Sequence, residues 1–126
     1  MTTLDHFILD VEDLDTSTAF YTNVLGFTAE GKDGPFTVIR VNANLVMLLA
    51  SHAPQGPQHY AFAMSRQAFD TVFDRIKAAG IAYGPSFSTV GSNRGPGEEA
   101  GARGLASTLY FNDPSRHLLE IRCYDA

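Results

Sequence analysis

Three side chains in this sequence have the chemistry of a metal site: the imidazoles of His6 and His59 and the carboxylate of Glu120. Glu120 poses the sharpest question. In "LYFNDPSRHLLEIRC", residues 109–123, it stands between Leu119 and Ile121 in an apolar run, so a strand must carry a charge that some partner makes tolerable. Two imidazoles and one carboxylate compose the facial triad that holds non-haem Fe(II) or a similar divalent ion with positions left open. Rival readings stay open at this level. A lone strand histidine is more often a hydrogen-bonded surface or core residue than a ligand, and Glu120 has a simpler partner within reach in Arg122 at the sheet rim. His52, in a linker, and His117, in a turn, read as ordinary histidines of that kind.

Strand alternation brings the three donors to a common side of their strands. In "LDHFILDV", His6, Ile8 and Asp10 share one face while Phe7, Leu9 and Val11 share the apolar face that must pack on helices. The same reasoning sets His59, Ala61 and Ala63 against Tyr60, Phe62 and Met64, and Leu118, Glu120 and Arg122 against Leu119, Ile121 and Cys123. If the sheet curls, His6, His59 and Glu120 converge on its concave side.

The surrounding elements repeat. "HFILDV" reads as a strand, and "DTSTAFYTNVLGF" as a helix with Asp15 as N-cap, Ala19, Phe20 and Leu25 on one face and Gly26 as the stop. Short β runs follow near residues 28–30, 36–41 and 45–50. After the Pro- and Gly-bearing linker 51–58 the order restarts. "HYAFAM" is a strand, and "SRQAFDTVFDRIKAAG" is a helix capped by Ser65 with Phe69, Val72, Phe73 and Ile76 at helical spacing. Strands near residues 81–83, 105–111 and 118–123 then complete it. A sparse internal repeat supports duplication: His6 and His59 are each followed at once by an aromatic residue and, fourteen positions on, by Phe20 and Phe73. The expectation is one domain of two βαβββ modules, about 1–50 and 59–124, each too small to bury its own core well. The glycine-rich segment 84–104 reads as a long loop, either a lid or plain surface.

Composition narrows the partners. Nine basic against fourteen acidic residues give a net charge of −5, with no Lys/Arg cluster, which disfavours nucleic acid and anionic membranes. The opening "MTTLDHFILDVEDL" carries no basic leader before an apolar core, and no window nears the roughly 18 apolar residues of a membrane span, so a cytoplasmic location is expected. The single cysteine, Cys123, reads as a core residue on the last strand.

The stretches "LDHFILDVEDLDTSTAFYTNVLGF", "PQHYAFAMS" and "GLASTLYFNDPSRHLLEI" resemble the vicinal oxygen chelate superfamily, which includes glyoxalases, extradiol dioxygenases, fosfomycin-modifying transferases and bleomycin-binding proteins. The resemblance covers nearly the whole chain. It implies an α+β fold in which paired βαβββ modules form a curved mixed sheet with helices on the convex side, frequently as a homodimer. Members with a metal place ligands on the first strand of each module and on the last strand, the positions of His6, His59 and Glu120 here.

Departures sort the members. Related glyoxalases take a further carboxylate from the fourth strand, where this chain has Leu48 and Leu49. Thiol-adding fosfomycin transferases usually carry threonine two residues after the first histidine, where Ile8 stands. Extradiol dioxygenases add a tyrosine ten residues before the glutamate, which is the place of Tyr110, a residue that can donate a hydrogen bond to a bound oxygen or simply pack. The family turn "DPDG" is "DPSR" here, with Arg116 in the place of glycine.

The resulting expectation is a metal-dependent enzyme, dioxygenase-like or lyase/isomerase-like. It would bind a small substrate through adjacent oxygens at Fe(II), Mn, Zn, Ni or Mg, which the ligand set does not distinguish. The rival expectation is a bleomycin-resistance-like protein that sequesters a planar molecule without metal, with Phe36, Tyr60 and Tyr83 as aromatic walls. A metal that only stabilises the fold fits less well, because structural sites are normally closed.

Overall fold

The structure is a computed structural model that describes residues 1–125 and divides into two compact units, Met1–Gly56 and the chain from Pro57 onward. The first unit contains β1 (His6–Val11), α1 (Leu14–Asn23), β2 (Thr28–Asp33), β3 (Phe36–Asn42) and β4 (Leu45–Ser51). Its sheet has the order β1-β4-β3-β2, with β1 parallel to β4 and the other pairs antiparallel. Leu9 and Val11 of β1, Ile39 of β3 and Met47 and Leu49 of β4 are fully buried with Tyr21 of α1, so the apolar alternate positions of these three strands form the core, while β2 is exposed throughout. His6 and Ile8 stand on the opposite, exposed face, as alternation requires.

Helix α1 differs in phase from the expectation. Its N-cap is Asp13, extended at φ −137°, whose Oδ1 accepts from the backbone N–H of Thr16 at 3.0 Å. Asp15 lies inside the first turn, where its charge complements the positive end of the helix without capping it. The buried stripe is accordingly Ser17 and Tyr21, with Phe20 only half-buried and Ala19 exposed.

The second unit contains β5 (His59–Ala63), α2 (Arg66–Ala78), β6 (Tyr83–Gly84), β7 (Gly97–Gly101), β8 (Gly104–Asn112) and β9 (Leu118–Cys123). Helix α2 follows the predicted pattern: Ser65 caps it by accepting from Ala68 N–H, and Phe69, Val72 and Ile76 are buried. The strand order is β5-β9-β8-β6, and β7 pairs with β8 as well. Strand β7 takes residues 104–108 of β8 and β6 takes residues 110–111, so both lie along the β8 edge away from β9.

The segment 84–104 is therefore not a loop throughout. "GEEAG" has no apolar alternation to announce a strand, yet its backbone pairs fully with β8. The remaining excursion is tied down at its base, where the Tyr83 carbonyl accepts from Gly91 and Asn93 and the Asn93 side chain accepts from Tyr83 N–H. Arg103 stacks over the Tyr124 ring with its guanidinium carbon 4.2 Å from the centroid. Among the described residues no helix is long and apolar enough to cross a membrane.

The turn before β9 is held by Asp113, whose Oδ1 accepts from the backbone N–H groups of Ser115 and His117 at 2.9 and 2.8 Å. This geometry drives Arg116 to φ +69°, in the left-handed region. An L side chain there costs roughly 1–2 kcal/mol, and glycine returns roughly 0.5–1 kcal/mol as unfolded-chain entropy. Arg116→Gly is therefore expected to stabilise the protein, by up to about 1.5 kcal/mol. A urea titration of the two proteins checks it, and an unchanged or lowered midpoint contradicts it.

Candidate metal centre

Three of the four residues singled out in the sequence meet on one face of the second unit's sheet. Glu120 of β9 pairs across the sheet with Tyr110 of β8 on one side and Ala61 of β5 on the other, and His59 stands one row away opposite Leu118. The His59 and Tyr110 rings stack with centroids 5.9 Å apart and an interplanar angle of 13°. His6 belongs to the other unit, at the start of β1.

Hydrogen bonds sort the histidines by tautomer. His59 Nδ1 lies 2.9 Å from the Leu118 carbonyl oxygen, which only accepts, so Nδ1 carries the proton and the neutral ring presents a bare Nε2. His6 is arranged alike, with Nδ1 at 2.7 Å from Asp5 Oδ2. These are the supports that orient histidines whose other nitrogen binds a metal. His117 is the reverse case. It is 1% exposed, and its Nδ1 accepts from the backbone N–H of Gln58 at 3.0 Å, which puts the neutral ring's proton on Nε2 and removes it as a donor atom. His52 is exposed, with Nδ1 on the Ala53 carbonyl at 3.0 Å.

Glu120 is only 3% exposed and divides its two oxygens. Oε2 accepts from Arg122 Nη1 at 2.5 Å, and Oε1 lies 3.4 Å from His59 Nε2. The simpler partner foreseen for Glu120 is thus present, yet it occupies one oxygen alone. With the His59 proton on Nδ1, the atoms facing each other across 3.4 Å are two acceptors. A proton on Nε2 or a metal ion would favour this approach, and the Tyr110 hydroxyl is a further donor beside the same carboxylate. Within either unit, no group of three His, Cys, Asp or Glu side chains gathers closely enough to hold a metal ion among the described residues.

Tyr110 is 7% exposed, and its hydroxyl interacts with the carboxylates of Glu99 and Glu120. Burial first, and these two acceptors second, push its pKa far above the usual phenol value, so it remains a proton donor across the working pH range. Glu99 is the residue that sequence reasoning missed, because it sits on β7 within the stretch read as loop. The glycine at each end of "GEEAG" and the "ARG" turn after it are the only hairpin signal there. In the first unit, Ile8, Asp10, Phe36, Ala50 and His52 line a largely apolar depression of about 460 Å³.

Two outcomes follow. Glu120→Ala leaves the 7%-exposed Arg122 without its carboxylate and is expected to cost roughly 3–5 kcal/mol in urea unfolding; a loss below 1 kcal/mol contradicts the pairing. Above about pH 10 the unfolded chain releases tyrosine protons that folded Tyr110 keeps, so the folded state binds more protons and its stability falls as pH rises. Tyr110→Phe is expected to flatten that fall in melts recorded between about pH 9 and pH 11, and an unaltered slope rules the assignment out.

Comparison with known proteins adds kinship to this geometry. The chain is 31% identical to the Virulence protein STM3117 of Salmonella typhimurium strain LT2, over 96% of this chain and 83% of that protein. It is 26% identical to the Glutathione transferase FosA of Serratia marcescens, over 94% of this chain and 78% of that protein. Among solved structures, Oxidase ChaP-H1 superposes with a TM-score of 0.81 at 28% identity, covering 99% of this chain and 98% of its own. The model of the Glyoxalase/Bleomycin resistance protein/Dioxygenase superfamily matches residues 3–121, and the chain, with its two sheets of mixed strands and their helices, is a member of that superfamily.

Proposed function

We propose that this protein is a metal-dependent enzyme of the vicinal oxygen chelate type, acting on a small substrate bound through adjacent oxygens. His6, His59 and Glu120 hold the ion, and Tyr110 serves the substrate. The observation that carries the reading is the acceptor pair of His59 Nε2 and Glu120 Oε1, 3.4 Å apart and each fixed from behind, by the Leu118 carbonyl and by Arg122.

Each protein group has a task that follows from its surroundings. His59 and His6 keep Nε2 available because an oxygen acceptor holds Nδ1–H. Glu120 has one oxygen engaged by Arg122 and offers the other. Tyr110 keeps its proton and offers a hydrogen bond to a substrate oxygen. A divalent ion bound there supplies chelation of the adjacent oxygens and lowers the pKa of the coordinated hydroxyl. Ala61 and Ala63, beside Glu120 on the open face of the second sheet, favour a small, partly apolar substrate over a sugar or a polyanion. Kinship with Oxidase ChaP-H1 supports the oxidative branch of this chemistry over thiol transfer, for which Ile8 is the wrong residue.

A metal-free binding protein is the second reading, favoured by the Glu120–Arg122 pair, which already neutralises the buried carboxylate. One experiment separates the two: metal content by mass spectrometry on anaerobically purified protein, beside His59→Ala and Glu120→Gln. The enzyme reading expects about one divalent ion per chain in the wild type and at least a tenfold loss in both variants. A wild type that holds none and cannot be loaded points to the binding protein.

A further inference from the structure

Arg122 does more than neutralise a charge. Besides Nη1 on Glu120 Oε2, its Nη2 donates to the backbone carbonyls of Glu99 at 3.0 Å, in the middle of β7, and Gly104 at 3.5 Å, at the start of β8. Its guanidinium carbon lies 5.1 Å from the Tyr124 ring centroid. The side chain is 7% exposed, and its Nε has no hydrogen-bond partner among the described residues. Residue 101 completes the cradle: a Cβ there would overlap the guanidinium and the Tyr124 hydroxyl, while its φ is outside the left-handed region, so glycine is needed for space alone. A group held by one carboxylate, two carbonyls, a ring and a missing side chain has a single orientation.

We infer that Arg122, seated against Gly101, is a positioning residue that keeps Glu120 monodentate by occupying Oε2, and thereby sets which ions the site accepts. This rests on the metal-dependent reading above. A carboxylate with both oxygens free can chelate bidentately, the mode that suits Ca²⁺ with its 2.3–2.6 Å bonds and six to eight ligands. With Oε2 engaged, only Oε1 is offered, which suits smaller ions of lower coordination number such as Mn²⁺ or Zn²⁺. The β7–β8 hairpin is then part of the metal selectivity although it supplies no ligand.

The test is competition between Ca²⁺ and Mn²⁺, with Mn²⁺ followed by electron paramagnetic resonance, on the wild type, Gly101→Ala and Arg122→Met, with Arg122→Lys as the conservative rescue. Gly101→Ala displaces the guanidinium while leaving every site residue in place, so it decides the matter if Arg122→Met fails to fold. Gly101→Ala and Arg122→Met are expected to shift the Mn²⁺-to-Ca²⁺ affinity ratio toward Ca²⁺ by tenfold or more, and Arg122→Lys to restore most of it. A role confined to stability would lower the unfolding midpoint and leave that ratio alone. A wild type that binds Mn²⁺ while Gly101→Ala retains the wild-type ratio overturns the positioning role only. A wild type that binds neither ion overturns the metal reading and this inference together.

Discussion

The second unit is organised around one constraint: a carboxylate placed inside a sheet. Desolvating an ionised glutamate is expensive unless its oxygens are engaged, and Glu120, 3% exposed, meets the constraint by division of labour. One oxygen takes the Arg122 guanidinium and the other faces His59. Arg122 is itself buried; its Nη2 reaches the carbonyls of Glu99, in the middle of β7, and Gly104, at the start of β8, while its Nε has no hydrogen-bond partner among the described residues. The hairpin, the glycine at 101 and the Tyr124 ring together house that guanidinium.

The same face explains Tyr110. Across β8 and β9 it is the direct partner of Glu120, so its ring covers the site from one side and stacks on His59, while its hydroxyl is held between two carboxylates. A phenol in that position is a donor that does not ionise. Beside it, His59 is oriented by the Leu118 carbonyl on its Nδ1, so both groups of this face are positioned by hydrogen bonding in advance of any ligand. Pre-assignment of this kind spares a site the reorganisation otherwise needed when charge develops.

Much of this was legible from period-two alternation. The exposed side of His6 and Ile8, the burial of Leu9 and Val11, and the common face of His59, Ala61 and Glu120 follow from which residues in each strand are apolar. The helix from Ser65 was equally plain, since its cap and its stripe of Phe69, Val72 and Ile76 agree. Legibility failed where side chains carry no periodic signal. Helix α1 has a weak stripe that includes a buried serine, so its phase was not fixed by pattern and the cap is Asp13 in place of the expected Asp15. Strand β7 is two glutamates and an alanine between glycines, held by backbone bonds that no side-chain pattern advertises.

The sequence by itself determined the donor types, the strand faces they occupy and the superfamily to which the chain belongs, because alternation and motif spacing are local and survive without knowledge of what lies opposite. Only the tertiary structure decided which atom of each donor is presented. His59 is read through a carbonyl 59 residues away, Arg122 through a carbonyl 23 residues away, and both depend on the register of strands paired across the sheet. Register is a property of the assembled sheet, and hydrogen-bond direction follows from register, so tautomer and the split of the Glu120 oxygens become fixed only when the strands meet.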